Sequence, residues 1–460
     1  MGVQNSSTAY ISQIIALQRE FFRSGATLDV EFRKEMLRRL LVGLHKWEKP
    51  LAEALWSDLH KSYEEAYMTE FGILYEEIRN HIKHLSSWIK PRRVAGSLKT
   101  FPSRSKVMSE PLGNTLIIAP WNYPVQLLIN PLVGAISAGC TALLKPSPYT
   151  PNVARALEEM VADIFDEEYV AVVQGNREVN RFLLDQRFDL IFFTGSPVLG
   201  REVMTAAAKN LTPVVLELGG KSPCIVDRDA DIRVAAKRIA WGKSLNAGQT
   251  CIAPDYLLVH AEVKESFVEE LQKAFTALLG HSPREAKHFV RIVSDRAFDR
   301  LIGYLDNGTI RFGGEYNREE RFIAPTLLES VSPDAPVMQE EIFGPIFPLL
   351  TFTDMEEVIK FVTEREKPLA FYYFGRKSRG EEILRHVSSG GACINDVIMH
   401  IANENTPFGG VGNSGMGAYH GKESFDAFSH RKSVLSTTTC IDPPFRYMPY
   451  RLFSLIKKLM

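Results

Sequence analysis

The spacing of apolar positions changes character along the chain. Through about residue 90 it is helical: Ile14, Leu17 and Phe21 recur at three- and four-residue intervals, as do Leu37, Leu40, Leu41 and Leu44, on a charge-rich background. From about residue 114 short apolar runs take over, at Thr115–Ala119, Thr141–Lys145, Tyr169–Val173, Leu190–Thr194 and Val214–Leu218. Helix-like segments such as Val153–Phe165 and Pro197–Asn210 separate them. Strands joined by helical crossovers pair in parallel, so this region predicts a doubly wound parallel α/β sheet whose crevice suits a nucleotide. A second α/β stretch follows Gly219, with strands near Pro223–Asp227 and Tyr256–His260, and runs to about Gly410. Two extended pieces, Phe101–Ser109 and Val434–Thr439, lie outside this scheme and predict a small β arm that joins subunits.

Length agrees with two units, since 460 residues exceed what one hydrophobic core serves. The expected division is 1–95 plus 111–217 for the cofactor domain and 218–410 for the catalytic domain. Residues 96–110 and 411–445 are then bridging segments, and 446–460 an amphipathic tail. With 54 Lys and Arg against 55 Asp and Glu, the net charge of -1 gives no electrostatic reason for a nucleic-acid partner. Met1–Tyr10 has no basic and apolar leader pattern. Residues 111–144 lack any charge, yet Pro120, Pro124 and Pro131 interrupt them, and Asn122, Gln126 and Asn130 are costly in hydrocarbon. A buried strand–helix–strand explains the run. In the tail Leu452, Leu455, Ile456 and Leu459 share one helical face beside Lys457 and Lys458, a segment too short to span a bilayer. Packing on its own subunit is favoured there over contact with a membrane surface. Five scattered cysteines without a C-x-x-C pair fit a reduced cytoplasmic protein with neither a zinc site nor a disulfide framework.

The one G-x-G-x-x-G match, Gly410 to Gly415, follows Pro407-Phe408 rather than a strand, and reads as a loop. A nucleotide phosphate has a better seat at Thr194-Gly195-Ser196, where a strand turns into a helix carrying Gly200. Backbone approaches closely there, and the helix start offers free N–H groups. Cys251 lies among small and amide residues in Asn246-Ala247-Gly248-Gln249-Thr250-Cys251. Its ordinary alternative is a buried structural thiol. Glu217 ends a strand where α/β sites assemble, the alternative being an ion pair with Lys221. Asn122 stands at the mouth of the first strand, able to donate to an oxyanion or to serve a turn before Pro124. Glu340-Glu341-Ile342-Phe343-Gly344-Pro345 is an acidic cluster entering a turn.

Together the strings Pro120-Trp121-Asn122, Leu143-Leu144-Lys145-Pro146, Phe193-Thr194-Gly195-Ser196, Glu217-Leu218-Gly219-Gly220-Lys221, Gly248-Gln249-Thr250-Cys251, Glu341-Ile342-Phe343-Gly344-Pro345 and Pro407-Phe408-Gly409-Gly410 resemble the aldehyde dehydrogenase superfamily in order and spacing. Cys251-Ile252-Ala253-Pro254-Asp255-Tyr256 and Tyr419-His420-Gly421-Lys422 look like its class 3 branch. The resemblance implies NAD(P)-dependent oxidation of medium- to long-chain aliphatic or aromatic aldehydes by a homodimer. It makes Cys251 the nucleophile, Asn122 and the Cys251 N–H the oxyanion donors, and Glu217 the base for the hydrolytic water. It also implies that Lys145 and Glu341 hold the ribose hydroxyls, that Phe343 packs beside the nicotinamide half, and that Gly195, Ser196, Gly200 and Leu218 line the cofactor.

Many NAD-preferring relatives carry an acid three residues after the lysine equivalent to Lys145. Here that position is Pro148, which neither binds a 2′-hydroxyl nor repels a 2′-phosphate, so use of both NAD and NADP is expected. Three other readings compete. A CoA-acylating relative commonly lacks the base that Glu217 supplies, and a cysteine hydrolase needs a histidine base. A non-catalytic protein on the same fold has no need to keep Cys251, Glu217 and Asn122 together.

Overall fold

The computed structural model describes residues 4–450 together with Phe453, Ser454 and Lys457. Leu452, Leu455, Ile456, Lys458 and Leu459, on which the tail expectation falls, lie outside these residues.

The helical period of the first ninety residues becomes α1 (Thr8–Arg23), α2 (Val30–Leu59) and α3 (Gly72–Trp88). Ser7 and Asp29 start the first two, each accepting an orphan N–H of the first turn. Strands β1 (Arg92–Val94) and β2 (Arg104–Pro111) then leave the body of the molecule. Next come β3 (Asn114–Ile118), β4 (Thr141–Lys145), β5 (Val170–Val172), β6 (Leu190–Gly195) and β7 (Val214–Leu218). Between them lie α4 (Gln126–Ala138), α5 (Pro151–Ile164), α6 (Arg177–Asp185) and α7 (Pro197–Ala208). Their ladders are parallel, in the order β7-β6-β3-β4-β5. Because α4 is buried on every side, the uncharged run around it is core. Among the described residues no helix is long and apolar enough to cross a membrane.

After β7 only four residues separate the first sheet from the second, which opens with β8 (Pro223–Val226) and β9 (Tyr256–His260). It continues through β10 (Thr309–Phe312), a small hairpin of β11 (Tyr316–Asn317) and β12 (Phe322–Ile323), and β13 (Thr326–Glu329). The strands β14 (Ile346–Phe352), β15 (Ala370–Phe374) and β16 (Gly391–Ile394) complete it, in the order β10-β13-β14-β9-β8-β15-β16. Only β10 runs antiparallel, so the expected pair of α/β sheets is present.

The two extended pieces do pair. Strand β2 forms an eight-residue antiparallel ladder with the last strand, Ser429–Ser436, and β1 closes its other side. The last strand starts five residues earlier than Val434, where its composition first looks β-like, because the ladder partner supplies what local propensity does not. Residues 411–428, expected to bridge, instead return to the body. β17 (Gly415–Met416) pairs antiparallel with β7, and the helix Lys422–Ala427 lies on α4, before the chain enters β18 (Ser429–Ser436).

Candidate active site

Most of the singled-out residues meet at the carboxyl ends of β3, β4, β6 and β7, facing two loops that precede strands of the second sheet. Glu217 is the fourth residue of β7 and Lys145 the last of β4. Asn122 follows β3, and Gly195 ends β6 before Ser196 caps α7 by accepting from the Leu199 N–H. The second sheet contributes Cys251 ahead of β9 and Glu341 to Phe343 ahead of β14.

The Cys251 loop is held from several sides. Asn246 and Ala247 both adopt φ 51°, a left-handed turn that reverses the chain at the end of the helix Ile232–Ser244. Gln249 donates to the Asn246 and Arg291 carbonyls at 3.1 Å and accepts from the Val293 N–H at 3.1 Å. Tyr123 braces this loop: it is buried, with its hydroxyl 2.6 Å from Thr250 Oγ1. Burial pushes the Cys251 thiol up, and the carboxylates of Glu341 and Glu217 add to the shift. The N–H groups of Cys251 and Ile252 act in the opposite sense, favouring the thiolate. Among the described residues no histidine hydrogen-bonds Cys251, while His400 lies 3.4 Å from the sulfur of Cys393.

Glu217 is buried and neither carboxylate oxygen has a partner. The expected alternative, pairing with Lys221, does not occur: Lys221 Nζ goes to Asp255 and to the Val337 and Glu340 carbonyls. Burial alone holds the Glu217 carboxyl well above the ordinary carboxylate range. The glycine motif serves this pocket. A side chain at Gly409 would sit 3.2 Å from Glu217 Oε1, and Gly415 is the ladder partner of Glu217. The motif does not open a βαβ helix, as its context predicts; it turns into β17 beside Glu217 and walls its carboxylate.

Asn122 is buried. Its Nδ2 donates to the Gln249 carbonyl at 3.1 Å, leaving its second proton available, and its Oδ1 has no partner. Lys145 is buried, donates to the Pro146 carbonyl at 2.7 Å, and is lowered to about 8 by burial. Burial likewise raises Glu341 to about 8, and its Oε1 is an orphan. Its Oε2 lies 1.9 Å from where a Cβ on Gly219 would stand, so a larger residue there would push the carboxylate aside. Phe343, at φ 53°, meets Trp121 edge-to-face with centroids 5.4 Å apart. Gly200 lets α7 close on Leu218, whose Cδ2 is 2.7 Å from the position of an added Cβ. Pro148 is half-buried in the turn before α5. The orphaned oxygen of Glu341, the underused Lys145 ammonium and the open start of α7 fit a dinucleotide with ribose hydroxyls and phosphates.

Reading along the chain misses Lys61, Glu65 and Glu70, which reach this site from the first helical region. A lysine and two glutamates in a charged helix look solvated, and nothing local marks them as buried.

Comparison with known proteins identifies the family and the fold. The sequence model of the aldehyde dehydrogenase family matches residues 1–434. The chain is 45% identical over 436 residues to the 4,4'-diaponeurosporen-aldehyde dehydrogenase of Staphylococcus aureus, covering 94% of this chain and 95% of that one. It is also 45% identical over 426 residues to the rat (Rattus norvegicus) enzyme named aldehyde dehydrogenase, dimeric NADP-preferring, covering 92% and 94%. Among solved structures, a substrate-bound AldH of Staphylococcus aureus superposes with a TM-score of 0.94 at 44% identity, over 97% of this chain and 99% of that one. An NAD+ complex of a Bacillus cereus aldehyde dehydrogenase gives 0.86 at 27%, over 94% and 90%.

Proposed function

The chain belongs to the aldehyde dehydrogenase family, an oxidoreductase that turns aldehydes into carboxylic acids with NAD(P), and on that premise we propose a role for each residue of its site. Cys251, as its thiolate with the proton given up to solvent, attacks the aldehyde carbon through its sulfur. The carbon–sulfur bond forms as the carbonyl electrons move onto oxygen. The second Nδ2 proton of Asn122 and the Cys251 N–H receive that oxyanion, each donor contributing about 3–4 kcal/mol to the transition state. A nicotinamide cofactor, held by Lys145 and Glu341 at its ribose hydroxyls, would supply the hydride acceptor for this adduct. The thioester then remaining on Cys251 is opened by water, whose proton passes to Glu217, and the carboxylic acid departs from the freed thiol.

The observation that carries this reading is Glu217: buried, without a partner, and near enough to Cys251 to raise its thiol. A carboxyl lifted above its ordinary range by burial, beside the thiol, suits general-base work, typically worth ~10²–10⁴-fold. Its test is pre-steady-state kinetics of Glu217→Gln. A burst of reduced cofactor without sustained turnover is expected, and equal loss of burst and steady rate would remove Glu217 from deacylation.

Lys145 and Glu341 would hold the ribose hydroxyls, and Gly195, Ser196, Gly200 and Leu218 the pyrophosphate side. Phe343 would pack beside the nicotinamide half. No acid stands at Pro148 to exclude a 2′-phosphate, so both NAD and NADP serve; the rat relative's name supports the NADP arm of this reading. The aromatic pair of Trp121 and Phe343 favours apolar aldehydes, aliphatic or aromatic. The β1-β2-β18 arm would join two copies, its outer strand β18 having one edge unpaired. Scattered free thiols support a reducing, cytoplasmic setting.

A further inference from the structure

We propose that the buried Lys61–Glu70 ion pair is a positioning device for the oxyanion site, an inference that rests on Asn122 being the oxyanion donor. Both side chains are fully buried, with Nζ and Oε1 2.7 Å apart. Lys61 Nζ donates in addition to the backbone carbonyl of Asn122 at 3.0 Å and lies 4.2 Å over the ring of Tyr123. The other oxygen of Glu70 accepts from the Val125 and Gln126 N–H groups, at 2.8 and 3.2 Å. One ion pair thus grips the backbone on both sides of the Asn122 turn, from its carbonyl to the first residue of α4.

The local backbone that presents Glu70 is unusual. Tyr67–Phe71 forms a single π-helical turn between the short helix Tyr63–Ala66 and α3. The extra residue rotates everything after it by about 100°, and such turns gather at functional sites. A second contact from the same region holds the nucleophile loop. Glu65 accepts from the Asn246 N–H at 2.8 Å. Asn246 Nδ2 in turn donates to the carbonyls of Asn122 and Gln249, both at 3.0 Å. Since the Asn122 amide also donates to the Gln249 carbonyl, the oxyanion donor and the backbone two residues before Cys251 are tied into one body.

Energetics favour positioning over stability as the reason for the pair. Desolvating two charges costs about as much as their attraction returns, and an apolar pair of similar volume is often as stable. An apolar pair cannot hold one backbone carbonyl and two N–H groups at fixed points. An error of about 1 Å in a reacting geometry costs up to ~10²-fold in rate.

A double-mutant cycle on the full-length enzyme separates positioning from general structural support. Acylation is read as the burst of p-nitrophenol from p-nitrophenyl acetate and as the burst of reduced cofactor from an aldehyde. Asn122→Ala is expected to slow both by ~10²–10³-fold, and Glu70→Gln by ~10-fold. The combined variant should match Asn122→Ala alone within ~2-fold, because the placement of an absent donor has no consequence. Cofactor affinity by fluorescence titration should stay unchanged in Glu70→Gln, which distinguishes positioning from loosening of the whole fold. The pair Lys61→Met with Glu70→Gln removes both charges, and gives the same cycle if Glu70→Gln alone fails to fold. Equal losses from Glu70→Gln with and without Asn122, or no loss in either background, would overturn the positioning role. Wild-type acylation in Asn122→Ala would instead remove the donor reading itself, and this inference with it.

Discussion

At the scale of single residues, the site is a set of groups whose burial has been traded against reactivity. Cys251→Ala should abolish both aldehyde oxidation and ester hydrolysis, by ~10⁴-fold or more, because no second nucleophile takes its place. Glu217 gives a pH prediction whose sign follows from burial. Its folded-state carboxyl is raised above its unfolded value, so the neutral form is the one the fold favours. The stability it contributes is present at low pH and is lost as pH rises through the raised value. Glu217→Gln keeps the neutral shape at every pH. It should therefore raise Tm relative to the wild type, by an increment that grows toward alkaline pH in thermal melts. A constant increment, or a lower Tm, would argue against an unpartnered buried carboxyl. Deacylation runs the other way: as a base, Glu217 works only when ionised, so turnover should rise with pH through the same region. The sequence showed these residues as strings of small and polar types. It showed neither that Lys221 turns to Asp255 nor that Lys61 and Glu70 are buried, since both facts depend on which distant backbone arrives beside them.

At the scale of elements, the cofactor seat is a matter of how closely a helix approaches a strand. Gly200 on α7 leaves no room for a Cβ against Leu218. Gly200→Ala should shift α7 outward, a strain of about 1–3 kcal/mol, and raise the cofactor Kd roughly tenfold while leaving ester hydrolysis near wild type. A loss of ester hydrolysis as large as the loss in affinity would mean that the strain spreads into the Cys251 loop. In the turn after β4, Pro148→Glu should move the kcat/KM ratio toward NAD by repelling the 2′-phosphate; a wild-type enzyme with strong NAD preference would sink the underlying reading. The parallel strands β4 and β7 were legible residue for residue, because five-residue apolar runs between helical crossovers leave little choice. The start of β18 was not: Ser429–Lys432 is polar, and only the ladder with β2 makes it a strand.

At the scale of the whole molecule, two sheets lie either side of a four-residue link and present opposite ends to one site. The first offers the carboxyl ends of its strands, as doubly wound sheets do. The second offers the loops before β9 and β14. Sedimentation of the full-length chain should report a dimer, and truncation after residue 428, which removes β18, a monomer. A dimer surviving that truncation would place the interface elsewhere. By itself the sequence determined the α/β class and the two parallel sheets, and it put forward Cys251, Glu217 and Asn122 as candidates through a family resemblance. The class and the sheets follow from a local period of apolar runs and helical crossovers; the candidates follow from the order and spacing of several strings together, since each residue alone has an ordinary alternative. Only the tertiary structure decided that the glycine loop walls Glu217, that Tyr123 braces the Cys251 loop, and that Lys61, Glu65 and Glu70 hold the backbone around Asn122 and Asn246. These are contacts between residues some 60 to 190 positions apart, where burial is created by the assembly and no local pattern records it.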